Sequence, residues 1–401
     1  MHLIAGLFAV VLLALVLQDA FEVMLLPRRI NRRVRFMGIY FRAAWAAWSQ
    51  TARLLSPGRG REGFLSHFGA LSMLGLFAIW AGTLILSFGL LYWSLQQGSG
   101  SAAAPSPLAE QVYMSGVTFF TLGYGDVVPH TGLTQAVAVF EAGTGIGFIA
   151  VVIGYLPVLY QLFSRREAHV IQLDGRAGSP PTAVALLCRH AESEGLDKLD
   201  ELLRQWEIWG SELLESHLSY PMLAYYRSQH DNQSWLAATA AVMDCCALIL
   251  VGVKGLAPLQ ARMTFSMARQ VIVEMSRSFR VKPSPFDGGD RLPPEAYARM
   301  QRAFEEAGVE WQGGADTRDA LHALRATYEP LLDGLARHLL LAIPAWLPDE
   351  DATDHWERGH RGLLARRLVE QLADRAVPPM SLRADEGDAR TWRRLHRTLR
   401  Q

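Results

Sequence analysis

At 401 residues the chain has room for two or three domains. Its 39 basic and 39 acidic residues cancel overall, yet residues 1–166 carry eleven arginines against six acids, leaving 28 bases and 33 acids to residues 167–401. An apolar, basic part joined to a mildly acidic part excludes a nucleic-acid binder, which would gather Lys and Arg on one element. Cys188, Cys245 and Cys246 show no Cys-x-x-Cys or His/Cys ligand spacing, so they read as reduced structural thiols, not a disulfide framework or a zinc site.

Three apolar stretches have the roughly 20 residues that a helix needs to cross hydrocarbon: Leu3–Leu26, about Phe68–Leu95 and about Leu133–Phe163. The first has no basic residue before it and five arginines within nine residues after it, the pattern of a retained anchor rather than a cleaved signal. Asp19 and Glu22 share a helical face near its inner end, close to Arg28 and Arg29, where a local ion pair or snorkelling is expected, a functional acid being the alternative. The 27–63 connection holds nine of the first eleven arginines, Arg165 and Arg166 follow the third stretch, and residues 96–107 carry no charge. Basic flanks stay cytoplasmic. The expected topology therefore has the amino terminus outside, residues 27–63 inside, 96–132 outside and everything after 166 inside, in a cell membrane.

Residues 36–55 have the spacing of a helix, with Phe41, Trp45 and Trp48 on one side. Two placements remain open, on the inner headgroup surface or against the soluble region.

Between the second and third stretches lie Leu108–Phe120, then Thr121-Leu122-Gly123-Tyr124-Gly125-Asp126. Thirteen helical residues rise about 20 Å, only part of the way through a bilayer. A half-helix followed by extended backbone is tolerated at that depth only where protein buries it or an aqueous path adjoins it. Rings of backbone carbonyls can replace the water around a potassium ion. Aiming successive carbonyls one way needs alternating ordinary and left-handed conformations, which Gly123 and Gly125 adopt without steric cost.

A half-helix ending in Thr-x-Gly-Tyr-Gly-Asp between two spanning helices resembles the pore module of the tetrameric potassium channels, closest to the bacterial two-transmembrane type. The resemblance covers about residues 68–163. It implies a potassium-selective homotetramer for passive transport, with K+ as permeant ion, no cofactor and no catalysis. It further implies carbonyls of Thr121, Leu122, Gly123 and Tyr124 at the ion sites, with Gly125 and Asp126 closing the outer mouth. Tyr113 stands where the family often has an aromatic donor to that aspartate; Thr118 ends the half-helix. Leu122 replaces the commoner valine, and Val117 stands where some members keep a carboxylate. One loop cannot enclose an axis, which calls for a closed ring of identical subunits.

In the third stretch Gly145 lies 24 residues after Thr121, at the family's inner-helix hinge; close packing is its alternative, and the expected role of Gly143 and Gly147. Ala142, Ile146, Ile149, Ile153 and Pro157 share one face and are expected to line an inner cavity, with Ala150 and Gly154 beside them and Pro157 kinking the helix end. Glu141 is read as a strut behind the half-helix, or as a cavity carboxylate.

Beyond residue 166 a short strand, His169–Leu173, is expected, followed by helices over about 181–193, 196–218, 232–253, 257–280, 293–307, 316–343 and 355–375. Trp235–Val253 is apolar enough to raise a fourth crossing, but Asp244 at its centre and the following arginines favour a buried bundle helix. Asp349–His360 reads as a solvated helix start rather than a metal site, and the arginines at 390–400 as a lipid or subunit contact. No P-loop, nucleotide-binding glycine motif or nucleophile elbow is present, so the cytoplasmic regulator stays unidentified. The expected architecture is an all-α membrane protein in three parts: 1–63, a pore module at 64–166, and a helical cytoplasmic domain at 167–401. A non-selective cation channel and a membrane-anchored signalling or enzyme module with a vestigial pore are the alternatives.

Overall fold

The computed structural model describes residues 2–24, 36–98, 107–192, 195–229, 233–284 and 290–349. Expected features at 25–35, around 99–106 and beyond 349 lie outside these residues, among them Arg28, Arg29, the 355–375 helix and the arginine-rich tail. Among the described residues every regular element is helical apart from one isolated bridge, Val253 to Trp311.

Among the described residues three helices are long and apolar enough to span a membrane: α1 (His2–Met24), α3 (Arg59–Gly98) and α5 (Gly132–Ala177). α1 runs antiparallel to α3. At one end Gly6 leaves room for Ser94, whose hydroxyl donates to the His2 carbonyl at 2.7 Å. At the other the Trp80 indole donates to Asp19 at 3.1 Å, while Gln18 donates to Glu22 at 3.1 Å. The partners expected for Asp19 and Glu22 from the sequence, Arg28 and Arg29, lie outside the described residues.

Between them α2 (Phe36–Leu54) folds back along the start of α3. Tyr40 donates to the Ser72 carbonyl at 2.8 Å, and Trp48 to that of Phe64 at 3.2 Å. Trp45 reaches the soluble region, donating to the His338 carbonyl at 2.8 Å. α2 is thus packed against the helices beyond residue 166.

α5 corrects one expectation. It passes Pro157 and residue 166 without a break, and His169–Leu173 is helix rather than strand. The β-branched Val170 and Ile171 suggest a strand locally, but Phe163, Arg166, Glu167, Val170, Leu173, Asp174 and Ala177 are buried at helical spacing. Burial of one helical face outweighs a propensity difference of a few tenths of a kcal/mol.

The remaining helices form a bundle: α6 (Ala183–Glu192), α7 (Leu196–Ser219), α8 (Trp235–Val251), α9 (Pro258–Phe279), α10 (Pro294–Glu306), α11 (Ala315–Ala326) and α12 (Glu329–Leu339). The single helix expected over 316–343 is two, because Pro330 cannot donate mid-helix and instead opens α12. α8 is buried along almost its entire length. It is 17 residues long, with no feature of a fourth span beyond its composition.

Asp244, at the centre of α8, is fully buried and held by Arg291 at 2.5 Å and the Tyr328 hydroxyl at 2.5 Å. Arg291 also reaches Glu329 at 3.1 Å, Arg325 bridges Glu329 and Asp290, and both guanidiniums lie over the Trp346 ring. Removing one partner strands a buried charge, which costs about 3–5 kcal/mol. Arg291→Leu should therefore lower the urea midpoint of the bundle sharply, followed by tryptophan fluorescence. An unchanged midpoint would show that the network is not holding α8 in place.

A 3-10 turn, Pro221–Tyr225, wedges between the bundle and the spanning helices. Tyr225 contacts the rings of Phe41, Trp45, Phe68 and Phe279. The Tyr226 ring fills a notch at Gly69, where a Cβ would meet it at 2.8 Å. Arg166 of α5 is buried and donates to the carbonyls of Leu223 and Tyr226, both at 2.8 Å, and to Glu167 at 2.9 Å. Its Nη1 also lies 3.3 Å from His217 Nε2, while His217 Nδ1 faces the Leu213 carbonyl at 2.9 Å. The pattern fits neutral His217 with its proton on Nδ1 and Nε2 accepting from Arg166.

Burial pushes the His217 imidazolium well below the ordinary histidine range, and the Arg166 cation adds to it. Its folded pKa is depressed, so below about pH 6.5 the unfolded chain takes a proton that the folded protein refuses. Stability should then fall by about 1.4 kcal/mol per pH unit as pH drops through that window. Melting temperatures in detergent between pH 7.5 and 5.5 should fall less for His217→Gln than for the parent protein.

Candidate functional site

The half-helix α4 (Leu108–Phe119) stops between α3 and α5. Its last carbonyls do not go unused. Phe120 N–H donates to Gly116 at 3.1 Å, Thr121 N–H to Thr118 at 3.0 Å and Leu122 N–H to Val117 at 2.8 Å. The extended strap that follows is therefore tied to the end of the helix by its first amides.

Along the strap, φ is positive at Thr121 (59°), Gly123 (61°) and Gly125 (77°) and not at the residues between. Alternation of this kind turns successive peptide groups to a common side. Glycine takes such a φ freely; at Thr121 it costs roughly 1 kcal/mol and persists only because the surroundings fix it. Asp126 at the far end accepts from the Tyr113 hydroxyl at 2.9 Å, tying the strap to α4 a second time.

Two glycines grip α4. At Gly145 of α5 a Cβ would stand 2.0 Å from the Phe119 carbonyl oxygen, and at Gly89 of α3 one would stand 2.7 Å from the Val112 backbone. Gly143 and Gly147 have no such neighbour in the single chain. The close approach at Gly145 requires glycine whether or not the helix bends there. Gly89 was not evident from the sequence; glycines at 75, 82 and 89, seven residues apart on α3, were the available signal.

Glu141 is fully buried behind α4. It accepts from Tyr92 at 2.6 Å and from Ser115, so it joins α3, α4 and α5. Ser115 also approaches the Ile85 carbonyl at 2.8 Å. Val117 is buried and Thr118 half-buried beside it.

The strap itself is uncovered within one chain: Leu122 is 56% and Tyr124 68% exposed. On α5, Ile146, Ala150, Ile153 and Pro157 are exposed and Ala142 and Ile149 half-buried, opposite the buried Glu141, Gly145, Tyr155 and Leu159. Among the described residues no cluster of His, Cys, Asp and Glu is suited to a metal ion.

Two spanning helices that enclose a half-helix and a strap of alternating backbone define the ion-channel class of membrane protein. Residues 76–161 match the family model described as "Ion channel", and the chain belongs to that family. Protein LctB of Geobacillus stearothermophilus is 33% identical over 98 residues, 22% of this chain and 72% of that protein. The uncharacterized membrane protein YdjJ of Bacillus subtilis is 25% identical over 151 residues, covering 37% and 43%. Two-pore potassium channel 4 of Arabidopsis thaliana is 32% identical over 92 residues, covering 23% and 29%. No solved structure gives a significant match.

The glycine notches generate a direct comparison. Gly145→Ala and Gly89→Ala should each force α4 aside and reduce the yield of correctly assembled protein severalfold by size-exclusion chromatography. Gly→Ala at an ordinary helical position stabilises by up to about 1 kcal/mol, so a normal yield from either variant would mean that the notches are not needed.

Proposed function

We propose that this ion channel is potassium-selective and works as a homotetramer, four straps surrounding one axis. The observation that carries this reading is the left-handed, ordinary, left-handed alternation over Thr121–Gly125 in a Thr-Leu-Gly-Tyr-Gly-Asp strap. It supports carbonyls of Thr121, Leu122, Gly123 and Tyr124 as the groups that replace potassium's hydration shell. Gly125 and Asp126 close the outer mouth, and Tyr113 holds Asp126 there. The exposed Leu122 and Tyr124 side chains supply apolar and hydroxyl surface for neighbouring copies to cover.

Behind the strap, Glu141 braces α4, whose Val117 and Thr118 support the strap. The carboxyl end of α4 carries the negative end of its dipole, which favours a cation in the cavity below. Ala142, Ile146, Ile149, Ala150, Ile153 and Pro157 line that cavity, and gating moves α5, with Gly145 as its pivot. The amino terminus lies outside and the bundle in the cytoplasm, where it modulates the gate. Similarity to a protein named as a two-pore potassium channel agrees with this reading.

Planar-bilayer recording of the purified protein in opposed potassium and sodium gradients tests it. The reversal potential should follow the potassium gradient, and Gly123→Ala should abolish the current without loss of the assembly. Equal potassium and sodium permeability would make the pore a non-selective cation conductor. An assembly that is intact yet never conducts would leave the anchored-module reading in its place.

A further inference from the structure

A cavity of about 210 Å³ lies between α2, the 221–225 wedge, the end of α9 and α12. Met37, Phe41, Met222 and Phe279 give it an apolar floor; Arg42, Ser278, Arg280 and His338 bring the polar groups. Among the described residues no acidic side chain lines it, and neither Arg42 nor Arg280 has a carboxylate partner. The His338 Nε2 atom is buried and makes no hydrogen bond, although the ring lines the cavity. Arg280 is held at φ 55°, the left-handed position after a helix where glycine is usual, so its side chain is placed there at a backbone cost.

Two unpaired guanidiniums and a hydroxyl around a partly apolar space call for an oxyanion with an apolar neighbour. Guanidinium meets phosphate oxygens in pairs of charge-assisted hydrogen bonds. The depth of the cavity narrows the source. α2 lies antiparallel to α3, with Tyr40 against Ser72 and Trp45 against Phe68. Arg42 therefore sits beside the start of the apolar stretch of α3, at headgroup level.

We propose that this cavity binds a phosphate group, carried by an anionic membrane lipid whose chains continue over Met37 and Phe41. Occupancy would join α2 to the wedge that holds Arg166 of α5. The proposal rests on the channel reading only for placing α3 in a membrane.

Native mass spectrometry of the purified full chain in detergent tests it, with dioctanoyl phosphatidylglycerol, dioctanoyl phosphatidylcholine and inorganic phosphate as probes. Phosphatidylglycerol should be retained at least about tenfold more tightly than phosphatidylcholine. The preference should be lost in R42Q/R280Q and partly kept in R42K/R280K. Equal retention of the two lipids, or unchanged phosphatidylglycerol binding by R42Q/R280Q, would overturn the proposal. Competition by inorganic phosphate at matched concentration would support the phosphate chemistry and assign its source to solution; no competition would assign it to the bilayer. Arg42 and Arg280 are exposed, and circular dichroism checks that the double variant folds. Because binding is read without current, a non-conducting protein still decides the question.

Discussion

Main-chain N–H and C=O groups at membrane depth must find partners within the protein, since hydrocarbon offers none. A helix that stops half-way across creates that problem at its carboxyl end. Here the first amides of the strap take the carbonyls of Gly116, Val117 and Thr118. The same bonds set the direction in which Thr121–Gly125 leaves the helix. Around this junction the side chains are small where backbone must approach, as at Gly145 and Gly89, and polar where three helices must be joined, as at Glu141. The positive φ of Thr121 is kept by that surrounding structure rather than by any preference of threonine.

The contacts between membrane helices and bundle follow a related logic. Arg166, at the point where α5 leaves the apolar region, is buried with its donors directed at the carbonyls of Leu223 and Tyr226. Arg227, one residue further along the same segment, donates to the carbonyls of Leu339 and Leu340 at the end of α12, at 2.7 and 2.9 Å. Arginine suits both places, because several fixed donors let one side chain satisfy carbonyls left unused at chain turns and helix ends. The wedge is thus fastened on one side to the inner helix and on the other to the bundle.

Legibility in the sequence followed the range of the interaction concerned. The three spans depend on composition over 20 residues, and the strap on a hexapeptide, so both could be read directly. Most bundle helices show their period locally. The strand expected at His169–Leu173 failed because Val170 and Ile171 carry a β preference, whereas the buried face of α5 is set by α7 and the wedge, which are distant in sequence. Gly89 looks like any apolar-helix glycine until Val112 is set against it. Glu141 stood out as an acid in an apolar run, but nothing nearby named Tyr92 and Ser115 as its donors. The placement of α2 depends on partners far along the chain, the Tyr225 ring and the His338 carbonyl 293 residues from Trp45.

α5 is 46 residues of unbroken helix, about 69 Å from end to end. From Gly145 down to the bundle it therefore resembles a stiff crank shaft more than a chain of jointed parts. Torsion applied where Val170 and Leu173 are clamped by the bundle reaches the level of Ile153 with little slack to absorb it. A domain that only turned, without pulling, would still change which side chains of that rod face their neighbours.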